Sequence, residues 1–249
     1  PHPDIQALAL HQLQESKELS DQHLLKYLKT SPYESVRLEA FLLLQQRHSD
    51  DFVSAIENAA DDNFELLQRF AVNALIKNGD PRLANTLAGK LCDVNTSARV
   101  AFNALQGAQF FSRQNLLPAV EDRLRQVAPY VVQPETYAKG VLKNTENYAG
   151  RWDEEIEKLC KGEMSHKRAL TQINFMRIYC PPYLLPQVAG YAATLKDDEL
   201  LLPLLEALGW HRQAYTSAQV LPVVEKLMKD TSHSEQVRQE ALKTYKRLK

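Results

Sequence analysis

Apolar residues recur along this chain at the offsets of an α-helix, and the recurrence itself repeats. Ile5-x3-Ala9-x2-Gln12-Leu13 sets an aliphatic residue, a small one and a pair ending in Leu at offsets of four, seven and eight. Such offsets share one helix face, so the pattern predicts a helix with a single core-facing stripe. The frame returns at Val36, Ala40, Leu43 and Leu44, at Leu67, Ala71, Ala74 and Leu75, and at Ser97, Ala101, Ala104 and Leu105. The final leucines are 31, 31 and 30 residues apart. Later copies start at Pro134, Ser165, Leu200 and Val237, with gaps of 37, 31, 35 and 37. Between them run shorter apolar-periodic segments, such as Asp51 to Ala60 and Leu184 to Leu195, each followed by a polar turn. In those turns Asp61-Asp62-Asn63, Asp93, Asp197-Asp198 and Asp230-Thr231-Ser232 offer oxygens to the free N–H groups that open the next helix. Gly79-Asp80-Pro81 reads as a helix stop followed by a restart, and Gly209 as another stop.

The predicted unit is a helix hairpin of 31 to 37 residues. One hairpin cannot bury its apolar edge alone, whereas a stack of them forms a continuous core. Val36-Arg37-Leu38-Glu39-Ala40 and Val237-Arg238-Gln239-Glu240-Ala241-Leu242, each behind an Asp- or Ser-containing turn, resemble HEAT and phycobilisome-lyase-type HEAT-like repeats. The resemblance covers nearly the whole chain in period, but Gln68, Ala98, Lys167 and Leu200 replace the Arg in other units. The Trp, Gly, Tyr and Pro spacing of tetratricopeptide repeats is not kept. The resemblance implies an all-α fold, a right-handed α-solenoid of about seven to eight HEAT-like helical hairpins. Residues 1–127 hold the regular repeats and 151–249 the less regular ones. Residues 128–150, with Pro129, Pro134, Gly140 and Gly150, read as an irregular seam within the array.

Composition narrows the function. The 249 residues carry 30 Lys plus Arg against 31 Asp plus Glu, a net charge of -1. No global basic field is available to hold nucleic acid or an anionic membrane. Eight glycines are too few for a turn-rich all-β domain. The longest apolar runs, such as 200–205, fall far short of the ~20 residues that cross a bilayer, and no signal-type segment follows Pro1-His2-Pro3. A soluble chain is expected, its compartment open, with further sequence expected upstream of the first helix. Cys92, Cys160 and Cys180 are odd in number and widely spaced, which argues against a disulfide framework or a cysteine zinc site.

No catalytic signature stands out. Glu163 and His166 have the i, i+3 spacing of di-iron bundles, but such sites need two copies and two further carboxylates. The remaining histidines, His48 among them, form no metal-ligand pattern. The His-Glu pairs that mark metal-binding HEAT hydroxylases are absent, and there is no Gly-rich phosphate loop. No cofactor, no metal and no catalysis are therefore expected, and binding is the candidate activity. If Leu67 and Ala71 face the core, Arg69 and Asn73 point away, and Arg99 and Asn103 sit at the same offsets one unit on. With His11 and Leu42 in earlier units they form a candidate ladder, which the resemblance puts on the concave second helices. Arg and Asn there can satisfy the backbone of an extended ligand. Tyr148, Trp152 and Trp210 are candidate aromatic anchors. Tyr179, Tyr183 and Tyr191 flank the Pro181-Pro182 break.

The expected partner is a protein or peptide, or an adjoining domain of the same chain. The alternative, a HEAT-like DNA-binding or alkylation-repair enzyme, would use Trp152-Asp153 and Trp210 with Arg212 in a basic groove. Charge argues against it: residues 1–125 hold 13 basic and 16 acidic residues, and 126–249 hold 17 and 15.

Overall fold

The computed structural model describes residues 2–249 except 15, 17, 48, 212 and 213, with 214–217 described by backbone alone. Among the described residues every regular element is helical and no strand occurs. The α-helices are α1 (Pro3–Gln12), α2 (Asp21–Thr30), α3 (Glu34–Gln46), α4 (Phe52–Ala60), α5 (Glu65–Asn78), α6 (Ala84–Cys92) and α7 (Ala98–Gly107). They continue as α8 (Arg113–Val127), α9 (Pro134–Tyr148), α10 (Asp153–Cys160), α11 (His166–Tyr179), α12 (Leu185–Ala192), α13 (Asp198–Trp210), α14 (Ala214–Lys229) and α15 (Glu235–Leu248). Packing divides the chain into two compact units. The first comprises Pro1–Ile76, Arg82–Gly107 and Ala119–Leu142, and the second Lys77–Pro81, Ala108–Pro118 and Lys143–Lys249.

In the first unit α1 packs on α3, α2 on α3 and α4, α3 on α4, α4 on α6 and α6 on α7. Helices thus meet their next and next-but-one neighbours, as stacked hairpins do. The predicted stripe is buried in α3 (Val36, Ala40, Leu43, Leu44) and in α5 (Leu67, Ala71, Ala74, Leu75). Two helices depart from the frame. In α1 the buried residue is Leu10, whereas Ile5 is 61% exposed and Leu13 faces out. The sequence Ile5 to Leu10 is apolar on nearly every side, so more than one stripe fits a 3.6-residue period. In α7 the buried positions are Val100, Ala104 and Gly107. A Cβ at Gly107 would lie 2.6 Å from Ile76 Cδ1, so glycine there lets α5 and α7 approach closely. These stripes lie 33 residues from those of their neighbours (Ala7 to Ala40, Leu10 to Leu43; Leu67 to Val100, Ala71 to Ala104), in place of the 31 and 30 expected.

One buried polar cluster ties consecutive hairpins of this unit. Arg37 donates from Nε and Nη2 to the two carboxylate oxygens of Asp62 at 2.7 and 2.8 Å, and also reaches Asn63 and the Ser31 carbonyl. Asp62 in turn accepts the Phe64 N–H at 2.8 Å, shaping the turn that opens α5. The Asp62 carboxylate raises the Arg37 pKa further above its usual value.

In the second unit α10, α12 and α14 pack in sequence, as do α11, α13 and α15, with α12 on α13 and α14 on α15 joining the rows. The core is the aliphatic face of α13 (Leu200, Leu201, Leu204, Leu205, Leu208) with Ala169 and Ile173 of α11 and Val237 and Ala241 of α15. Asp197 and Ser234 cap α13 and α15 through their side chains. Gly79 adopts φ +68 after α5, and a Cβ there would meet the Pro182 ring at 2.4 Å. Pro81 restarts the chain in a 3-10 turn. Gly209, by contrast, does not stop a helix. It lies inside α13, where a Cβ would sit 3.2 Å from Thr244 Oγ1, so it serves the approach of α15. Pro181-Pro182 does end α11, at Tyr179.

The stretch 128–150 holds a 15-residue helix, α9, of which only Thr145 is buried. The frame begun at Pro134 is present in α9 but not buried: Pro134 is exposed and Ala138, Val141 and Leu142 are half-buried. No described helix is long and apolar enough to cross a membrane.

Candidate functional site

The two rows of helices expose different surfaces. In the first unit the rows are α2, α4, α6 and α1, α3, α5, α7; in the second they are α10, α12, α14 and α11, α13, α15. Among the described residues of the first row in either unit, Tyr27 is the single large hydrophobic side chain left exposed. The second row exposes Leu66 and Phe70 on α5 and Phe102 on α7, the last 61% exposed. In the second unit it exposes Phe175, Ile178 and Tyr179 on α11 and Trp210, 58% exposed, on α13. Within each unit, then, the exposed large apolar groups lie mainly on the second row, and such groups, where clustered, are candidates for an interaction surface.

The predicted ladder residues lie on this second row but do not align. Asn73 and Arg99 are exposed, Asn103 is half-buried, and His11 is exposed with Nδ1 2.8 Å from Glu39 Oε1. Arg69 is half-buried, and its Nε is enclosed without a hydrogen-bond partner. The 33-residue offset of α7 puts Arg99 at the register of Leu66, and Asn103 at that of Phe70, rather than beside Arg69 and Asn73. Likewise His11 takes the register of Leu44.

The aromatic candidates divide. Trp152 is 9% exposed and belongs to the core of its unit, stacked on Phe175 with ring centroids 5.4 Å apart. Tyr148 is half-buried at the end of α9. Trp210 stands open, with the Arg247 guanidinium 5.7 Å from its ring centroid. Phe175, Ile178 and Tyr179 form a further exposed set on α11, and their i, i+3, i+4 spacing off the buried stripe is a signal legible in the sequence. Tyr183 donates to Asp153 Oδ1 at 2.5 Å, and burial holds its phenol well above the ordinary range. Pro1, His48 and Arg212 lie outside the described residues.

Several groups with possible chemistry have partners within the structure. His166 Nε2 lies 3.4 Å from Asp197 and 3.5 Å from Glu199, and the three donor atoms are close enough to surround a divalent ion. All three residues are exposed. Asp197 Oδ1 accepts the Glu199 N–H at 3.0 Å, leaving Oδ2 toward His166, and the positive end of α13 opposes a cation. His166 thus pairs across helices rather than with Glu163. Burial pushes the Cys92 thiol up to about 12 and the Cys160 thiol up to about 11, so neither is a nucleophile at neutral pH. Two shallow grooves lie along the first rows. One of about 300 Å³ is lined by Asp153, Glu157, Cys160, Lys161, Leu184 and Gln187. The other, of about 400 Å³, is lined by Leu28, Lys29, Glu57, Asn58, Asp61 and Asp62. Their carboxylates are largely bonded, Glu157 to Lys161, Asp153 to Tyr183, Asp61 to Lys90 and Asp62 to Arg37.

These features define a helical-repeat protein. No protein-family model matches the chain, and no curated protein does. Among solved structures it is similar to human deoxyhypusine hydroxylase in complex with glycerol, at 15% identity over 95% of this chain and 98% of that one. The TM-score is 0.35, and a likeness at that level assigns no residue and no activity.

Proposed function

We propose that this chain is a non-catalytic interaction module, a right-handed α-solenoid of about seven to eight HEAT-like hairpins that binds a protein or peptide segment on its second-row helices. In a longer polypeptide the same face would seat an adjoining domain. The observation that carries this reading is the exposure contrast: Phe102, Phe175, Ile178, Tyr179 and Trp210 face solvent from the second rows, against Tyr27 alone from the described first rows. A stack of helices needs apolar residues between its layers and gains nothing from them outside, so an outward set calls for a further surface.

The test is selection of binders from a random-peptide display library on the whole chain. Peptides bound by the first unit should lose binding to Phe102→Asp, those bound by the second to Tyr179→Asp with Trp210→Asp, and both should keep it with Tyr27→Asp. Peptides that bind all the variants alike, or a library that yields none, would refute the reading. Folding of each variant is checked by circular dichroism.

A further inference from the structure

The second row of the second unit carries a finer pattern at the C-terminal ends of its helices. The buried stripe of α11 (Ala169, Ile173, Met176) lies four residues on from the frame begun at Ser165. In this observed register Tyr179, Trp210 and Arg247 each follow by three residues a buried position, Met176, Ala207 and Thr244. Because α11 packs on α13 and α13 on α15, equal register makes them one row across three helices. Arg247 already lies over the Trp210 ring at 5.7 Å. At the other end Phe175 lies 5.1 Å from Tyr179 between ring centroids, and Ile178, 65% exposed, widens the apolar strip.

Charge is segregated along the same helices. The starts of α13 and α15 hold Asp197, Asp198, Glu199 and Glu235, and His166 and His233 point at three of these carboxylates. The last turns hold Arg177, Lys246 and Arg247, with Lys249 just beyond, against two carboxylates, Glu206 and Glu240, the latter 3.8 Å from Arg247. Arg177 takes up Glu206 at 3.1 Å. An apolar, aromatic strip is thus bordered by an excess of cations, and a ligand that satisfies both must be apolar at its anchor and negative around it.

We propose that the row Tyr179, Trp210 and Arg247, with Phe175 and Ile178, docks a short acidic peptide segment bearing an aromatic or leucine anchor. The proposal rests on the second-row binding reading and names the chemistry of its ligand. The anchor covers the ring edges and Ile178, and carboxylates on either side meet Arg247, Lys246 and Lys249. Cations at helix C-termini also oppose the negative end of each macrodipole, so the fold tolerates Lys246 and Lys249 there, while Arg247 is shared with Glu240 at 3.8 Å and Arg177 with Glu206.

The probe is a fluorescein-labelled peptide of about ten residues alternating Glu or Asp with Phe or Leu, followed by anisotropy against the whole chain. Binding should saturate. Tyr179→Ala and the pair Arg247→Gln with Lys246→Gln should each weaken it by about tenfold, the loss of one interface hot spot. Tyr27→Ala should leave it unchanged. A peptide with Lys in place of the acids should bind at least about tenfold more weakly. Equal affinity for the Lys peptide, or no effect of the variants, overturns the proposal. So does a single-stranded oligonucleotide of matched charge that competes as well as the peptide. Should library-selected peptides map to the second row while this probe fails to bind, the binding face stands and the acidic ligand falls.

Discussion

The helices α3 and α15 carry nearly the same letters and use them differently. Arg37 of α3 is buried and forks onto both oxygens of Asp62, a residue of the turn between α4 and α5. Arg238 of α15 reaches back along its own helix to Glu235 at 2.6 Å. The motif residue becomes a clamp between hairpins only where a neighbouring turn presents a carboxylate to the guanidinium fork. Seven residues after the motif's valine the contrast reverses: α3 has the apolar Leu43, whereas α15 has Thr244, whose hydroxyl donates to the Leu205 carbonyl at 2.8 Å in the core. One repeat is tied by its turns and the other by its interior.

Denaturant titration of single variants separates these two modes. Arg37→Ala leaves Asp62 and Asn63 without their buried partner and should cost about 3 kcal/mol. A loss under about 1 kcal/mol would mean the cluster is solvated like a surface pair. Thr244→Val, which removes the α15 hydroxyl and its bond to the Leu205 carbonyl, a carbonyl also engaged inside α13, should cost about 1 kcal/mol; no change would mean that this second bond adds nothing to the intrahelical one.

The interior mode also predicts a pH effect. His211, just past α13, is buried, and its Nε2 lies 2.6 Å from the Met176 carbonyl, which can only accept, so the proton sits on Nε2. Desolvation lowers its pKa below 6.5, against a smaller opposing effect of the Met176 bond. The unfolded chain therefore takes up the proton first. The contribution is fully present above pH about 6.5 and declines as pH falls from there toward the folded value. The stability of the wild type relative to His211→Gln should drop between pH 7.5 and pH 5, and a flat difference would contradict a buried neutral imidazole. The smallest effect is expected for Arg238→Ala, within about 0.5 kcal/mol, as for other exposed i, i+3 pairs.

Much of the fold was readable because helical periodicity is a local property. The stripes of α3, α5 and α13 were placed residue by residue, as was the stop at Gly79. The register of α1 was misplaced because its apolar residues surround the helix, and that of α7 because Gly107 serves as a core position without being an apolar letter. Of the site, Trp210 was legible beside its glycine, but Trp152 was not separable from it. An exposed tryptophan and a core tryptophan look alike until the helix above them, here α11 with Phe175, is in position.

The sequence by itself determined the all-helical character and the buried stripes of α3, α5 and α13, since these depend on spacings of four, seven and eight along one segment. Only the tertiary structure decided where Arg37 and Arg238 spend their hydrogen bonds, that Gly209 serves contact rather than termination, and that Arg247 lies over the Trp210 ring. Those outcomes depend on which residues of a neighbouring helix arrive opposite, and side chains about 30 residues apart become neighbours only when the hairpins stack.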